Sequence, residues 1–363
     1  MIRYAARRLV VAVVLLVALT LLTFLVYSAI PSNPGRGLLP YQHPSNADLA
    51  LANHALGVDR PVLEQWTDWL SHAVRGDLGF SWGGAKYDFH GHASGDPVTD
   101  VLLPATGVSL SIVLGGLLLM LLTVVPLATL SAHRPGSVFD RLTATFLLIG
   151  ISTHPLVVGI LLQAFASNRL SLLPAQGYCP VHWNPHAPSA SFGTSSSNLT
   201  PYCSGLGAWA QHLVLPWITF ALFFAALYVR VLRASLLETL EEPYVATARA
   251  KGASEPRVLL RHALPNALRP ILTMTGMEAG TAIGVLIYIE IVFGLPGLGR
   301  LSVAALNGDA GYDRPVIAAI VLFVGIAVFG INLLVDLLYP FVDRRVGQAG
   351  TPHRDVAAVG PSA

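Results

Sequence analysis

The chain has 363 residues, of which 53% are hydrophobic and 12% charged, where an ordinary soluble domain carries about a quarter. So apolar a composition excludes an ordinary soluble domain, and a formal net charge of +2 is too small to argue for a nucleic-acid partner. The expectation is an all-α integral membrane protein whose charges matter by position.

Arg3, Arg7 and Arg8 precede Leu9 to Ile30, 22 residues without a charge, enough for a helix across a hydrocarbon core of about 30 Å. A cleaved signal peptide would have an apolar region of about 7 to 15 residues. This run is longer and ends in Pro31-Ser32-Asn33-Pro34, so residues 1–30 read as an uncleaved first span with a cytoplasmic amino terminus. Residues 31–101 read as an extracytoplasmic segment, with Trp66, Trp69 and Trp82 suited to the membrane surface. His90 and His92 have no third ligand nearby and read as solvated loop residues.

A second span is expected within Val101 to Ala132, followed by a turn at Pro135-Gly136 that Asp140 and Arg141 close. The third runs from Leu142 to about Ser167, with Thr153-His154-Pro155 near its middle. A histidine inside a span is a site candidate; a hydrogen bond to a neighbouring helix is the equal alternative. Residues 168–212 look like an outer insertion, rich in Ser, Gly and Pro. Its Cys179 and Cys203 are the chain's only cysteines, and in one outer loop they suggest a disulfide rather than a metal site or catalytic thiol. The fourth span covers about Leu213 to Val229, the fifth Pro270 to Phe293 and the sixth Pro315 to Tyr339, so that residues 102–345 hold five of six; residues 346–363 read as a loose tail.

In the fifth span Gly276, Gly280 and Gly284 recur every four residues, spacing that lets helix backbones approach closely in lipid. Glu278 falls about 200° around the helix from that stripe. An ionised carboxylate costs on the order of 3 kcal/mol at a helix centre, so it should face water or a polar partner. With the amino terminus inside, 15 of the 22 Lys and Arg fall on the cytoplasmic side, which orients the chain.

Residues 230–269 form the main cytoplasmic loop, and within it Tyr244 to Pro265 is a basic island. Pro243 suits a first helical turn. Gly252 can end the helix in a left-handed conformation, with Arg249 and Lys251 at the negative end of its dipole. Ser254 then offers a cap, and a second helix is expected from Arg257 to Leu264 before Pro265.

The pattern Ala246-Thr247-Ala248, Gly252 and His262-Ala263-Leu264-Pro265 resembles the E-A-A, Gly, I-x-L-P signature of ATP-binding-cassette importer permeases, with Ala246 in place of Glu and His262 in place of Ile. Leu56-Gly57-Val58-Asp59-Arg60-Pro61, Arg75-Gly76-Asp77-Leu78-Gly79, and Glu290, Phe293 and Pro296-Gly297-Leu298-Gly299 are similar to the dipeptide, oligopeptide and nickel branch. The likeness covers most of residues 1–345, except about 83–94 and 177–210. His154 stands where many relatives carry proline, and Glu278 where they carry an uncharged residue.

The resemblance implies a six-span type I importer transmembrane domain in the cytoplasmic membrane of a prokaryote, with both termini cytoplasmic. The first short helix would be the coupling helix that sits in a groove of an ATPase subunit, making Tyr244, Ala246, Thr247, Ala248, Arg249, Lys251, Gly252, Leu264 and Pro265 the ATPase-coupling residues. His154, Glu278 and Glu290 are candidates for the translocation path. Implied partners are a second related permease, two ATPase subunits, an extracytoplasmic solute-binding protein and membrane lipid. The implied cargo is a di- or oligopeptide, with nickel as runner-up.

Lys86 and Lys251 are the only lysines, and neither ends a G-x-x-x-x-G-K-[ST] phosphate loop. ATP and Mg would therefore be bound by the partner ATPases, with no cofactor and no metal in this chain. No H-E-x-x-H or G-x-S-x-G occurs, and Asp309, after Asn307-Gly308 in an outer loop, gives an intramembrane protease poor support. Repeated halves and broken mid-membrane helices, which would mark a self-sufficient secondary transporter, are not evident.

Overall fold

In the computed structural model the described residues are 2–30, 33–39, 44–83, 86–87, 93–179, 205–307 and 312–342. The expected histidine pair His90 and His92, Asp309, Cys203 and the tail from residue 346 lie outside them. The described residues are almost wholly helical: α1 (Ile2–Ala29), α2 (Asn46–Ala55), α3 (Val62–Ala73), α4 (Val98–His133), α5 (Val138–Ser152), α6 (Pro155–Leu162), α7 (Leu206–Leu240), α8 (Pro243–Ala250), α9 (Glu255–Arg257), α10 (Leu264–Ala267), α11 (Arg269–Val292), α12 (Leu298–Leu306) and α13 (Arg314–Val342). An antiparallel pair of two-residue strands, β1 (Lys86–Tyr87) with β2 (Ala93–Ser94), lies between α3 and α4.

Five of these helices are long and apolar enough to cross a membrane: Ala6–Ala29, Val98–His133, Leu206–Leu240, Arg269–Val292 and Arg314–Leu337. The third expected span is not one helix. It is α5, a break at Thr153 and His154, then α6 and a π-helical turn, Gln163–Arg169. Pro155 causes the break, because it has no N–H to donate and pushes the residue before it out of the helical region. His154 accordingly has φ −66° and ψ 140°.

The chain divides into two compact units. One comprises Met1–Thr123, Phe146–Leu227 and Gly280–Phe329. Its core gathers Leu78, Val98, Leu102 and Ala105 with Leu301, Ala305, Val316, Ile317 and Ile320. Helix α3 lies on α1, where Trp66 Nε1 donates to Thr20 Oγ1 at 3.2 Å and the rings of Phe24 and Trp69 stand 5.6 Å apart. Gly115 and Gly116 admit Trp217 and Phe220 so closely that a Cβ at either would overlap the ring, the small-residue contact expected between membrane helices. Asp313, buried at the start of α13, accepts from Ser81 Oγ at 2.6 Å and Gly83 N at 3.0 Å. Leu9, Val10, Val13, Val14 and Leu15 on α1 are exposed, an apolar surface suited to lipid rather than water.

The other unit comprises Val124–Thr145, Tyr228–Ala279 and Gly330–Ala363. Here Arg233 grips Asp140 with two bonds of 2.7 Å, and the same carboxylate accepts from Gly136 N at 2.8 Å and from Ser131 Oγ. These donors, Arg233 first, hold the Asp140 carboxyl well below the usual carboxylate range. The fork-to-fork geometry satisfies both partners, which keeps a nearly buried carboxylate tolerable.

Candidate functional site

The basic island folds as a short helix, a turn and a helical return. α8 begins at Pro243 with Glu242 in the cap position, although no side chain caps it. Val245 is fully buried and Tyr244 and Ala248 are half-buried, whereas Ala246, Thr247, Arg249, Ala250 and Lys251 are exposed. One face of α8 is thus anchored against the segment Val258–Ala263 and the other is presented outward.

Gly252 ends α8 at φ +81°, with Gly252 N bonding Arg249 O at 2.9 Å and Ala253 N reaching back to Ala248 O at 3.2 Å. Those two bonds make the paired C-terminal closure in which glycine supplies the left-handed residue. Ser254 occupies the next cap position, but its side chain makes no cap bond. Instead Arg249 reaches across the turn to Glu255, Nε to Oε1 at 2.8 Å and Nη2 to Oε2 at 3.3 Å. That hydrogen-bonded guanidinium lowers the Glu255 carboxyl below its ordinary value; the pair is exposed and therefore screened by water.

The single second helix expected over Arg257 to Leu264 is replaced by α9, a π-helical stretch Val258–Ala263, and α10. Pro265 accounts for this. Its ring would strike the carbonyl four residues back, and it offers no donor, so the backbone widens to π register just before it and then resumes. Leu264 is half-buried and Pro265 exposed. Beyond it, Asn266 Nδ2 donates to Tyr244 Oη at 2.7 Å and to His262 O at 3.3 Å, and Arg269 Nη2 donates to Asn266 Oδ1 at 2.9 Å.

The three path candidates occupy different settings. His154 is exposed; its Nδ1 accepts from Leu156 N at 3.3 Å at the start of α6, and its ring meets Tyr288 edge-on at 4.6 Å. Glu278 is half-buried and close enough to Tyr228 to interact electrostatically, while the Tyr228 hydroxyl is hydrogen-bonded to Thr275. Of the glycine stripe, Gly276 closes on Asn332, whose Oδ1 would lie 2.9 Å from an added Cβ, whereas Gly280 and Gly284 face open space. Glu290 has no exposed surface. Its carboxylate accepts from Ser109 Oγ at 2.6 Å, from Arg300 N at 2.9 Å and from Gly299 N, and thus caps the start of α12. The geometry makes Glu290 a closing group for that helix. Cys179 is buried, its sulfur 3.6 Å from His212 Nδ1. Among the described residues no cluster of His, Cys, Asp or Glu could hold a metal ion.

Residues 124–348 match the family model described as binding-protein-dependent transport system inner membrane component. The chain belongs to that family. Residues 1–112 of this permease match the N-terminal model of the same membrane component. It is 33% identical to a putative peptide permease protein of Brucella suis, over 95% of this chain and 99% of that one. It is 32% identical to a probable peptide ABC transporter permease of Sinorhizobium fredii over 94% and 98%, and 31% identical to the dipeptide transport system permease DppB of Escherichia coli K12 over 95% and 99%. Among solved structures, the inward-facing MetNI methionine ABC transporter aligns with TM-score 0.49 and 17% identity, covering 69% of this chain and 100% of that one.

Sequence reasoning missed several of the permease's polar pairs. Asp140 and Arg233 are 93 residues apart, Ser109 and Glu290 are 181 apart, and Tyr244 and Asn266 are 22 apart. The one available signal was charge or amide placement at the ends of apolar runs, which says that a partner is needed without saying which.

Proposed function

We propose that this permease is one pore-forming half of an ATP-driven importer that carries di- or oligopeptides across the cytoplasmic membrane. The observation that carries the reading is α8: an eight-residue helix, anchored by Val245, closed by Gly252, and presenting Ala246, Thr247, Arg249 and Lys251 outward. Such a helix can seat in a groove of an ATPase subunit and turn that subunit's stroke into movement of the spans on either side. Two ATPase subunits, binding ATP and Mg, a second related permease and an extracytoplasmic solute-binding protein complete the assembly, and this chain hydrolyses no ATP itself. The relatives' names favour peptides over nickel as cargo. Both termini lie in the cytoplasm, as the distribution of Arg and Lys requires. Cys179 and Cys203 pair outside, where the compartment is oxidising.

Proteoliposomes test the assembly directly. The chain together with both ATPases, the second permease and the binding protein should take up a radiolabelled dipeptide when ATP is supplied, and the chain alone should not. Uptake by the chain alone would make it a self-sufficient transporter and end this reading. The cysteines are tested in intact cells with a membrane-impermeant maleimide: labelling should require prior reduction, and labelling of both thiols without it would remove the disulfide.

A further inference from the structure

Deepening the coupling role proposed above, and resting on it, we infer that Tyr244, Asn266 and Arg269 form a positioning linkage that carries displacement of α8 into the first turn of α11. α8 must deliver a push to a membrane span, yet the π-helical stretch and Pro265 lie on the backbone route between them. A widened helical turn followed by a proline is a compliant piece of chain, since its hydrogen bonds are fewer and poorer than those of an α-helix. The side chains bypass it. The Tyr244 phenol, a rigid group on the second residue of α8, accepts from Asn266 Nδ2 at 2.7 Å; Asn266 also ties down His262 O at 3.3 Å, and its Oδ1 receives Arg269 Nη2 at 2.9 Å. Arg269 is the first residue of α11. One amide thus holds the helix that meets the partner, the π stretch and the base of the fifth span. The other bridging side chain of α8, Arg249, pairs with Glu255 within the turn and donates to Leu240 O at the end of α7 at 3.4 Å, so it ties α8 to the fourth span and not to α11.

The test uses the assembled transporter in proteoliposomes, with ATPase co-purification, ATP hydrolysis and uptake of a radiolabelled dipeptide measured on one preparation. ATP-induced change in hydrogen exchange over residues 269–275 serves as a readout that needs no cargo. Tyr244→Phe and Asn266→Ala should keep the ATPases bound and hydrolysis within about twofold, while uptake per ATP falls about fivefold, the scale of one net hydrogen bond. The ATP-induced exchange change at α11 should shrink in parallel. The double variant should lose no more than Asn266→Ala alone, because that substitution already removes the bond that Tyr244→Phe removes. Asn266→Asp, which keeps the bond from Arg269 and can accept from the phenol in a reversed bond, should recover at least half of the loss. Wild-type uptake per ATP and exchange response in Tyr244→Phe would overturn the linkage, and so would loss of uptake only in proportion to loss of folded protein. Thr247→Arg, on the outward face of α8, separates the two ideas. If it leaves the ATPases bound, the coupling reading itself fails; if it releases them while Tyr244→Phe behaves as wild type, only the linkage does.

Discussion

Two glycine-marked turns hold this chain's most specific sequence signatures, and they need glycine for opposite reasons. At Gly252 the backbone is left-handed, φ +81°, and nothing lies within 4 Å of where a Cβ would stand. At Gly297 the backbone is extended, φ −100°, but a Cβ would overlap the Glu290 carboxylate. The first glycine is a matter of conformation and the second of volume. A left-handed residue tolerates asparagine with little strain; a filled site tolerates nothing larger than hydrogen unless its neighbours move.

The sharpest way to break that contrast is Gly297→Ala. Forcing a methyl into the carboxylate's place displaces a buried group that bonds Ser109 and the N-terminus of α12, at a cost of about 3 kcal/mol. The thermal midpoint of the purified protein should drop clearly, and an unchanged midpoint would mean that the close approach at α12 is not a constraint. Gly252→Val comes next. A branched residue held left-handed costs about 1–2 kcal/mol, so the protein should insert while its ATPase association weakens or its hydrolysis separates from uptake. Gly252→Asn sharpens the case, since it should retain most association; equal losses in Val and Asn variants would point to volume instead.

The smallest expected effect is that of Glu255→Gln, which removes the exposed bridge to Arg249. Because the folded-state carboxyl is lowered, its contribution is complete above its ordinary value of 4.5 and fades as pH falls below it. High salt should mimic the substitution by screening the pair. A large change in midpoint at neutral pH would show the turn to depend on its ion pair rather than on Gly252.

What was legible in the sequence was local. Pro243 and Gly252 bound α8 because φ preferences act at the residue itself, and the apolar runs of spans one, two, four, five and six emerge as long helices because lipid demands uninterrupted backbone bonding. Pro155 announced a disturbance, but a proline can kink a helix as well as end it, and spacing alone does not separate the kink from the division into α5 and α6. The expected Ser254 cap bond is not made, and the turn is bridged by Arg249 and Glu255, a pairing that no rule of cap residues announces. The role of Glu290 could not be read, because the hydroxyl that meets it comes from a different span. Asn266 was likewise an unremarked amide, since its value lies in three partners that no spacing rule selects.

The bonds that Asp313 makes to Ser81 and Gly83 also constrain the order of manufacture. Gly83 and Asp313 are separated by 230 residues, so this part of the segment between α3 and α4 cannot close until nearly every span has left the ribosome. At about 5 to 20 residues per second, that is a wait of roughly ten to fifty seconds. During it the Ser81 hydroxyl and the Gly83 amide must find water, lipid headgroups or a chaperone in place of the aspartate that will eventually hold them.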